Sequence, residues 1–197
     1  LDDWTFSEQH VVIQGDASLL GGQNMWQGDH DLSGQIHFMW DEDNLYLAAI
    51  IKDDDPMQNE HEFGSIFQGD CVEVYLGKEN DSLPMFTEND FQFGLSTGIN
   101  GNGAQVWIWG NGKSNGNREA LAENSELFVR PVPEGYIIEA RISWQNFDGF
   151  DAKPGTIIGL DINLDDYDGI NNSFKAATWV GDETNWQRPA NWGEGLL

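Results

Sequence analysis

The sequence is short of positive charge. Nine Lys and Arg stand against 34 Asp and Glu, for a formal net charge of -25. A surface of that sign repels nucleic-acid phosphates and anionic membranes, which argues against both as partners. A single cysteine, Cys71, leaves no internal disulfide to staple the fold, and its place in an apolar alternating segment marks a small buried hydrophobe rather than a reactive thiol. No apolar run approaches a membrane-spanning length; residues 45–51 are the longest and fall far short. Long helical periodicity, heptads and internal repeats are missing as well. The abrupt start at Leu1 is expected of a mature form or an excised module.

What the chain does have is aromatic and apolar residues: 9 Trp, 11 Phe and 39% hydrophobic content over 197 residues. That suffices for one core, so residues 1–197 read as a single domain. The acids are dispersed among these aromatics, which argues for a folded rather than a disordered chain. Two explanations remain for the excess carboxylate: a salt-tolerant secreted surface, or bound divalent cations. An anionic polysaccharide is disfavoured unless calcium bridges it.

Residues 34–76 set the architecture. Ile36, Phe38 and Trp40 alternate with polar or smaller neighbours, the signature of a strand with one buried face. Asp41 to Asn44 supply turn chemistry. The run 45–51 reads as a central strand covered on both faces, stopped by Asp53, Asp54, Asp55 and Pro56. Val72, Val74 and Leu76 then alternate against Cys71, Glu73 and Tyr75. Further strands are expected near residues 10–13, 90–97, 104–109, 126–132, 135–143, 156–164 and 174–180, with another in the tail, while residues 15–31 read as a loop. Ser143 is placed to cap a helical turn at 144–147. About ten or eleven short strands predict an all-β fold, an antiparallel β-sandwich of two sheets.

Several patterns bear on function. Trp186 and Trp192 sit among Asn, Gln, Arg, Pro and Gly, where no strand period draws them inward. They either face a ligand or cap the end of the sandwich. Trp107 and Trp109 lie two apart and share a strand face, which suits a flat platform or ordinary sheet packing; Trp26 is a further platform. Glu73, Gln92, Glu139, Arg141, Asp161 and Asn163 all oppose apolar neighbours. If their strands are adjacent, one sheet carries a polar stripe, and Glu139 with Arg141 reads as a structural ion pair. Asp165, Asp166 and Asp168 form an acidic cluster suited to calcium, as do Asp53 to Asp55 and Asp29 with Asp31. None has EF-hand spacing, and solvated turns explain each cluster alone.

The segments WDEDNLYLAAIIKD, GDCVEVYL, GYIIEARISW, GLDINLDD and TNWQRPANWGEGLL, in that order, resemble family 9 carbohydrate-binding modules and their DOMON-like relatives. The resemblance implies a two-sheet β-sandwich, often with structural calcium, appended to a secreted glycoside hydrolase or similar enzyme. It also implies a non-catalytic site that clamps a neutral β-linked sugar, as in cellulose, xylan or another β-glucan, between two aromatic rings. One ring falls on Trp186 and the other on Phe67, where the family would show Trp. Glu73 matches an acid that hydrogen-bonds sugar hydroxyls, and Asn185 falls near a similar polar contact. An arginine expected two residues after Gln92 is Gly94 here, which leaves fine specificity open. Some DOMON-like relatives hold haem, and Met25, Met57, His10, His37 and His61 are available as axial ligands, but no attachment motif is present. A glycoside hydrolase using acids such as Glu73 and Asp161 is the third reading, and with 34 acids a carboxylate pair carries no information.

Overall fold

The computed structural model describes residues 4, 10–109, 119–169 and 173–197. It places thirteen strands in two antiparallel sheets: β1 (Val11–Ile13), β2 (Leu19–Gly21), β3 (Leu32–Trp40), β4 (Asn44–Asp53), β5 (Cys71–Gly77), β6 (Asp90–Ser96), β7 (Gln105–Trp109), β8 (Ala120–Leu121), β9 (Glu126–Val132), β10 (Gly135–Ser143), β11 (Ile157–Asp168), β12 (Ser173–Thr178) and β13 (Gly193–Leu196). The first sheet runs β1-β3-β4-β10-β9. The second runs β2-β12-β11-β5-β6-β7-β8, with β13 also paired to β11. No helix among the described residues is long and apolar enough to cross a membrane.

The core follows from alternation. Ile36, Leu47, Ile51, Ile138 and Ile142 point inward from the first sheet; Val72, Val74, Phe93, Leu95, Ile162 and Leu164 meet them from the second, all fully buried. Stacking two such faces is how an antiparallel sandwich removes apolar surface from water. β4 lies at the centre of its sheet, and the buried neighbours Ala48 and Ala49 point to opposite faces, as an unbroken apolar run requires.

The sequence expectation of ten or eleven strands falls short because β2 and β8 are too brief to show alternation. β2 lies within a segment read as a loop; it pairs with β12, and Leu19 packs on the core. Ser143 does cap a turn: its hydroxyl accepts from the Gln145 amide at 3.3 Å, and Trp144–Asn146 forms a 3-10 turn. The polar stripe divides between the sheets. Glu73, Gln92, Asp161 and Asn163 share the second sheet, whereas Glu139 and Arg141 lie in the first. Arg141 pairs with Glu126 at 3.1 Å, and Glu139 instead accepts from Trp4 Nε1 at 3.0 Å, so the expected Glu139–Arg141 pair is not made.

Candidate functional site: an aromatic cleft on the outer face of the second sheet

Strand register sets the floor of the site. Asn163, Glu73, Gly94 and Trp107 align across β11, β5, β6 and β7; Asp161, Tyr75, Gln92 and Trp109 form the next row on the same face. This face turns away from the core, because β5 gives Val72, Val74 and Leu76 to the other side. Two loops rise beside the floor. The 3-10 turn Phe63–Gln68, anchored by the fully buried Ile66, contributes Gly64 and Phe67. The loop before β13 contributes Trp186. Gly64, Phe67, Glu73, Tyr75, Gln92, Trp109, Asn163 and Trp186 enclose an open cleft of about 470 Å³, a volume in the range of small-ligand sites. Trp186 is 57% exposed and Phe67 43%, far above what core aromatics retain.

The floor is locked by hydrogen bonds. Glu73 Oε2 accepts from Tyr75 Oη at 2.8 Å and from Gln92 Nε2 at 2.6 Å. Tyr75 Oη accepts from Asn163 Nδ2 at 3.1 Å, and Asn163 Oδ1 accepts from Asn185 Nδ2 at 3.2 Å. Burial, followed by the Glu73 charge, pushes Tyr75 well above the usual phenol range. The same order of causes raises Asp165, a buried acid hydrogen-bonded to Glu73. Both effects favour the neutral form of Asp165 beneath the cleft. Among the described residues, Glu73 is the carboxylate lining the cleft, and no cationic side chain lines it.

Trp109 forms the third wall. Its Nε1 donates to the Gly64 carbonyl at 3.0 Å, tying β7 to the Phe63–Gln68 turn. Its ring covers Gly94: a β-carbon there would come within 2.6 Å of Trp109 Cη2 and 2.9 Å of Ile66 Cδ1. The position where the family resemblance implies an arginine therefore has its space filled by indole. Gly94→Ala should push this ring aside at an overpacking cost of about 1–3 kcal/mol, with a loss of ligand affinity larger than the loss of stability. Unchanged affinity in a titration of that variant would remove Trp109 from the site.

The remaining site candidates are placed elsewhere. Asn185 is 1% exposed and donates to Asp161 and Thr178, each at 3.1 Å, as well as to Asn163. It underpins the neighbouring Trp186 and does not line the cleft. Trp192 is buried, packs on Tyr75 and Phe86, and donates to the Asn185 carbonyl at 3.0 Å. It flanks the floor on the same sheet face, over Gly77 and Gly159. Trp107 lies outside the cleft lining, edge-on to Phe63. Trp26 packs against the core. Sequence reasoning missed Tyr75 and Gly64; Tyr75 was legible through its period-two relation to Glu73.

A second polar centre sits at the other end of β11. Lys175 Nζ, fully buried, pairs with Asp31, with Asp166 at 2.9 Å and with Asp168 at 2.8 Å. Burial would lower its pKa, but the hydrogen bonds it donates to Asp168 and Asp31 win and raise it. Beside it, carboxylate oxygens of Asp53, Asp70 and Asp166 lie within 4.8 Å of one another, and all three residues are buried. Asp70 accepts from the amides of Gln58 at 2.6 Å and Tyr167 at 3.0 Å, whereas Asp166 Oδ1 has no hydrogen-bond partner. Burial, then the neighbouring acids, raises Asp70 to about 8 and Asp166 to about 9. Burial is also the main cause for Asp53, raised to about 7. Asp165 falls outside this cluster because it alternates with Asp166 and turns towards Glu73.

An aromatic cleft with a hydrogen-bonding floor, on the outer sheet face of a β-sandwich, defines a carbohydrate-binding domain. The family model described as carbohydrate family 9 binding domain-like matches residues 13–197, and the chain belongs to that family. It is a family of non-catalytic binding modules. Among curated proteins, the chain is 26% identical over 167 residues to endo-1,4-beta-xylanase A of Thermotoga neapolitana, covering 84% of this chain. It is 27% identical over 176 residues to exoglucanase XynX of Acetivibrio thermocellus, covering 88% of this chain. The match spans 14% of the length of each of these relatives. Two solved structures of a family 9 carbohydrate-binding module from Caldicellulosiruptor kristjanssonii share the fold. The glucose complex superposes with a TM-score of 0.68 at 19% identity over 96% of this chain and 83% of that one. The cellotriose complex gives 0.66 at 18% identity, over 96% and 82%.

Proposed function

We propose that the cleft binds a neutral β-linked glycan, of the cellulose, xylan or β-glucan type, as a polysaccharide or as its oligosaccharides. The observation that carries this reading is the pairing of three indole or phenyl walls with a floor of hydrogen-bonded polar groups centred on the Glu73 carboxylate. Sugar faces present C–H groups that suit rings, and sugar rims present hydroxyls that suit Glu73, Gln92 and Asn163. A uronate would set its charge against Glu73 in a chain of net charge -25. The relatives' names, xylanase and exoglucanase, and the glucose and cellotriose complexes point the same way. The domain is then one module of a longer secreted glycan-degrading protein, which keeps the enzyme against its substrate. Affinity electrophoresis through gels containing cellulose derivatives, xylan or alginate should show retardation by the neutral polymers alone. Retardation by alginate and not by the others would overturn the assignment.

Calcium is the proposed structural cofactor. Of the acidic groups around β11, the one holding Asp31 already has Lys175 as its cation. Asp53, Asp70 and Asp166 fit a divalent ion better, since the orphaned Asp166 Oδ1 points to an absent partner. Calcium favours such hard oxygen donors, with carbonyls and water completing its shell.

A further inference from the structure

We propose that Phe63 and Trp107 form a second sugar subsite beside the cleft, taking the next unit of the same glycan chain. This rests on the reading of the cleft as a glycan site. The same two elements that wall the cleft supply a second pair of rings. The Phe63–Gln68 turn carries Phe67 into the cleft and Phe63 beyond it; β7 carries Trp109 into the cleft and Trp107 beside Phe63. Phe63 and Trp107 meet edge to face, with ring centroids 5.4 Å apart. Gly64 joins the two places: it lines the cleft, and a β-carbon there would lie 3.6 Å from Trp107 Nε1 and 3.7 Å from Trp109 Nε1. Two residues along a strand amount to roughly 7 Å, a step on the scale of one pyranose ring.

Phe63 is built for exposure. It is 49% exposed, so it is not an anchor for its loop; the buried Ile66 fills that role. Its φ of 55° lies in the left-handed region, which a bulky residue adopts only at a cost and which concentrates at binding sites. The Phe63 amide donates to Gln105 Oε1 at 2.9 Å, from the residue that shares the Trp107 and Trp109 face of β7. Trp107 Nε1, in contrast to that of Trp109, has no hydrogen-bond partner among the described residues, so packing alone places this ring. A half-exposed phenyl in strained backbone, set against an indole and continuous with a sugar cleft, fits a stacking contact for the following unit. Hydroxyls at its rim would meet Gln105 and Glu119, the latter close to Gly64.

The test is chain-length dependence, measured by calorimetry with cellobiose, cellotriose and cellotetraose, and with the matching xylo-oligosaccharides. Wild-type affinity should rise roughly two- to tenfold on passing beyond the disaccharide, the increment of one further ring contact. Phe63→Gly should lose that gain and keep disaccharide affinity. Glycine accepts the left-handed backbone, so its melting temperature should not fall, which separates lost contact from lost folding. Trp107→Ala should show the same loss of gain. Affinity that stops rising at the disaccharide in the wild type, or rises equally in both variants, overturns the second subsite alone. A wild type that binds none of these sugars sinks the cleft reading together with it.

Discussion

Trp186→Ala is expected to abolish retention on glycan gels while leaving the melting temperature nearly unchanged. The ring is 57% exposed, so its removal sacrifices little burial in the folded protein. In the complex it forms one complete wall, and truncating an aromatic anchor at the centre of an interface commonly costs about 2 kcal/mol or more, roughly 30-fold in affinity. The backbone around it is independently fixed. Asp182 Oδ1 accepts from the Thr184 amide at 2.8 Å and from Asn191 Nδ2 at 3.0 Å, and the buried Asn185 ties the loop to β11. The loop should therefore survive the substitution. Asn185→Ala is the contrasting control: it breaks a buried network and should lower both affinity and stability. Full retention of the Trp186 variant would exclude the proposed clamp.

Calcium should raise the melting temperature more at alkaline than at acid pH. In the metal-free fold, Asp53, Asp70 and Asp166 have pKa values raised to about 7, 8 and 9 by burial and by one another. An acid raised on folding binds its proton more tightly in the native state than in the unfolded chain. Its contribution is thus fully present below the unfolded value near 4 and is lost as pH rises through the folded one. The metal-free domain should lose stability steadily from about pH 4 to about pH 9. A divalent ion competes with these protons, so it gains as they leave. At a thousandfold excess over its dissociation constant it would add about 4 kcal/mol, or roughly 8–16 °C for a chain of this size. Scanning calorimetry at several pH values, with calcium or with a chelator, measures this directly. Overlapping curves in calcium and chelator at about pH 8 would reject the ion.

The fold was legible because its signals are local. The alternation of Val72, Val74 and Leu76 sorts β5 into two faces without knowledge of its neighbours, and the residues that point away, Glu73 and Tyr75, become the floor. Trp186 and Phe67 could be paired only through the family resemblance, since nothing in their separate surroundings says that they face one another. Asn185 and Trp192 mislead in the sequence for a common reason. A polar loop surrounds both, yet each finds a hydrogen-bond partner that allows burial: Asp161, Asn163 and Thr178 for the amide, the Asn185 carbonyl for the indole. Such partners lie far away in sequence. The acidic run 165–168 illustrates the same limit, because neighbouring aspartates on a strand belong to opposite faces. Asp165 goes to the cleft floor while Asp166 goes to the cluster with Asp53 and Asp70.

The rings proposed to grip the ligand lie far apart in the chain, Phe67 ahead of β5 and Trp186 just before β13. Neither ring would make a clamp by itself, and the two are brought together through the second sheet, by the Ile66 anchor beside β5 and by the Asn185 bonds to β11. Glycan capture is consequently a test of completion. A chain that has paired its hairpins but left its tail loose will show sheet spectroscopy and a partial core while passing straight through an affinity column. On the proposed reading, column retention therefore counts molecules in which both segments are in place.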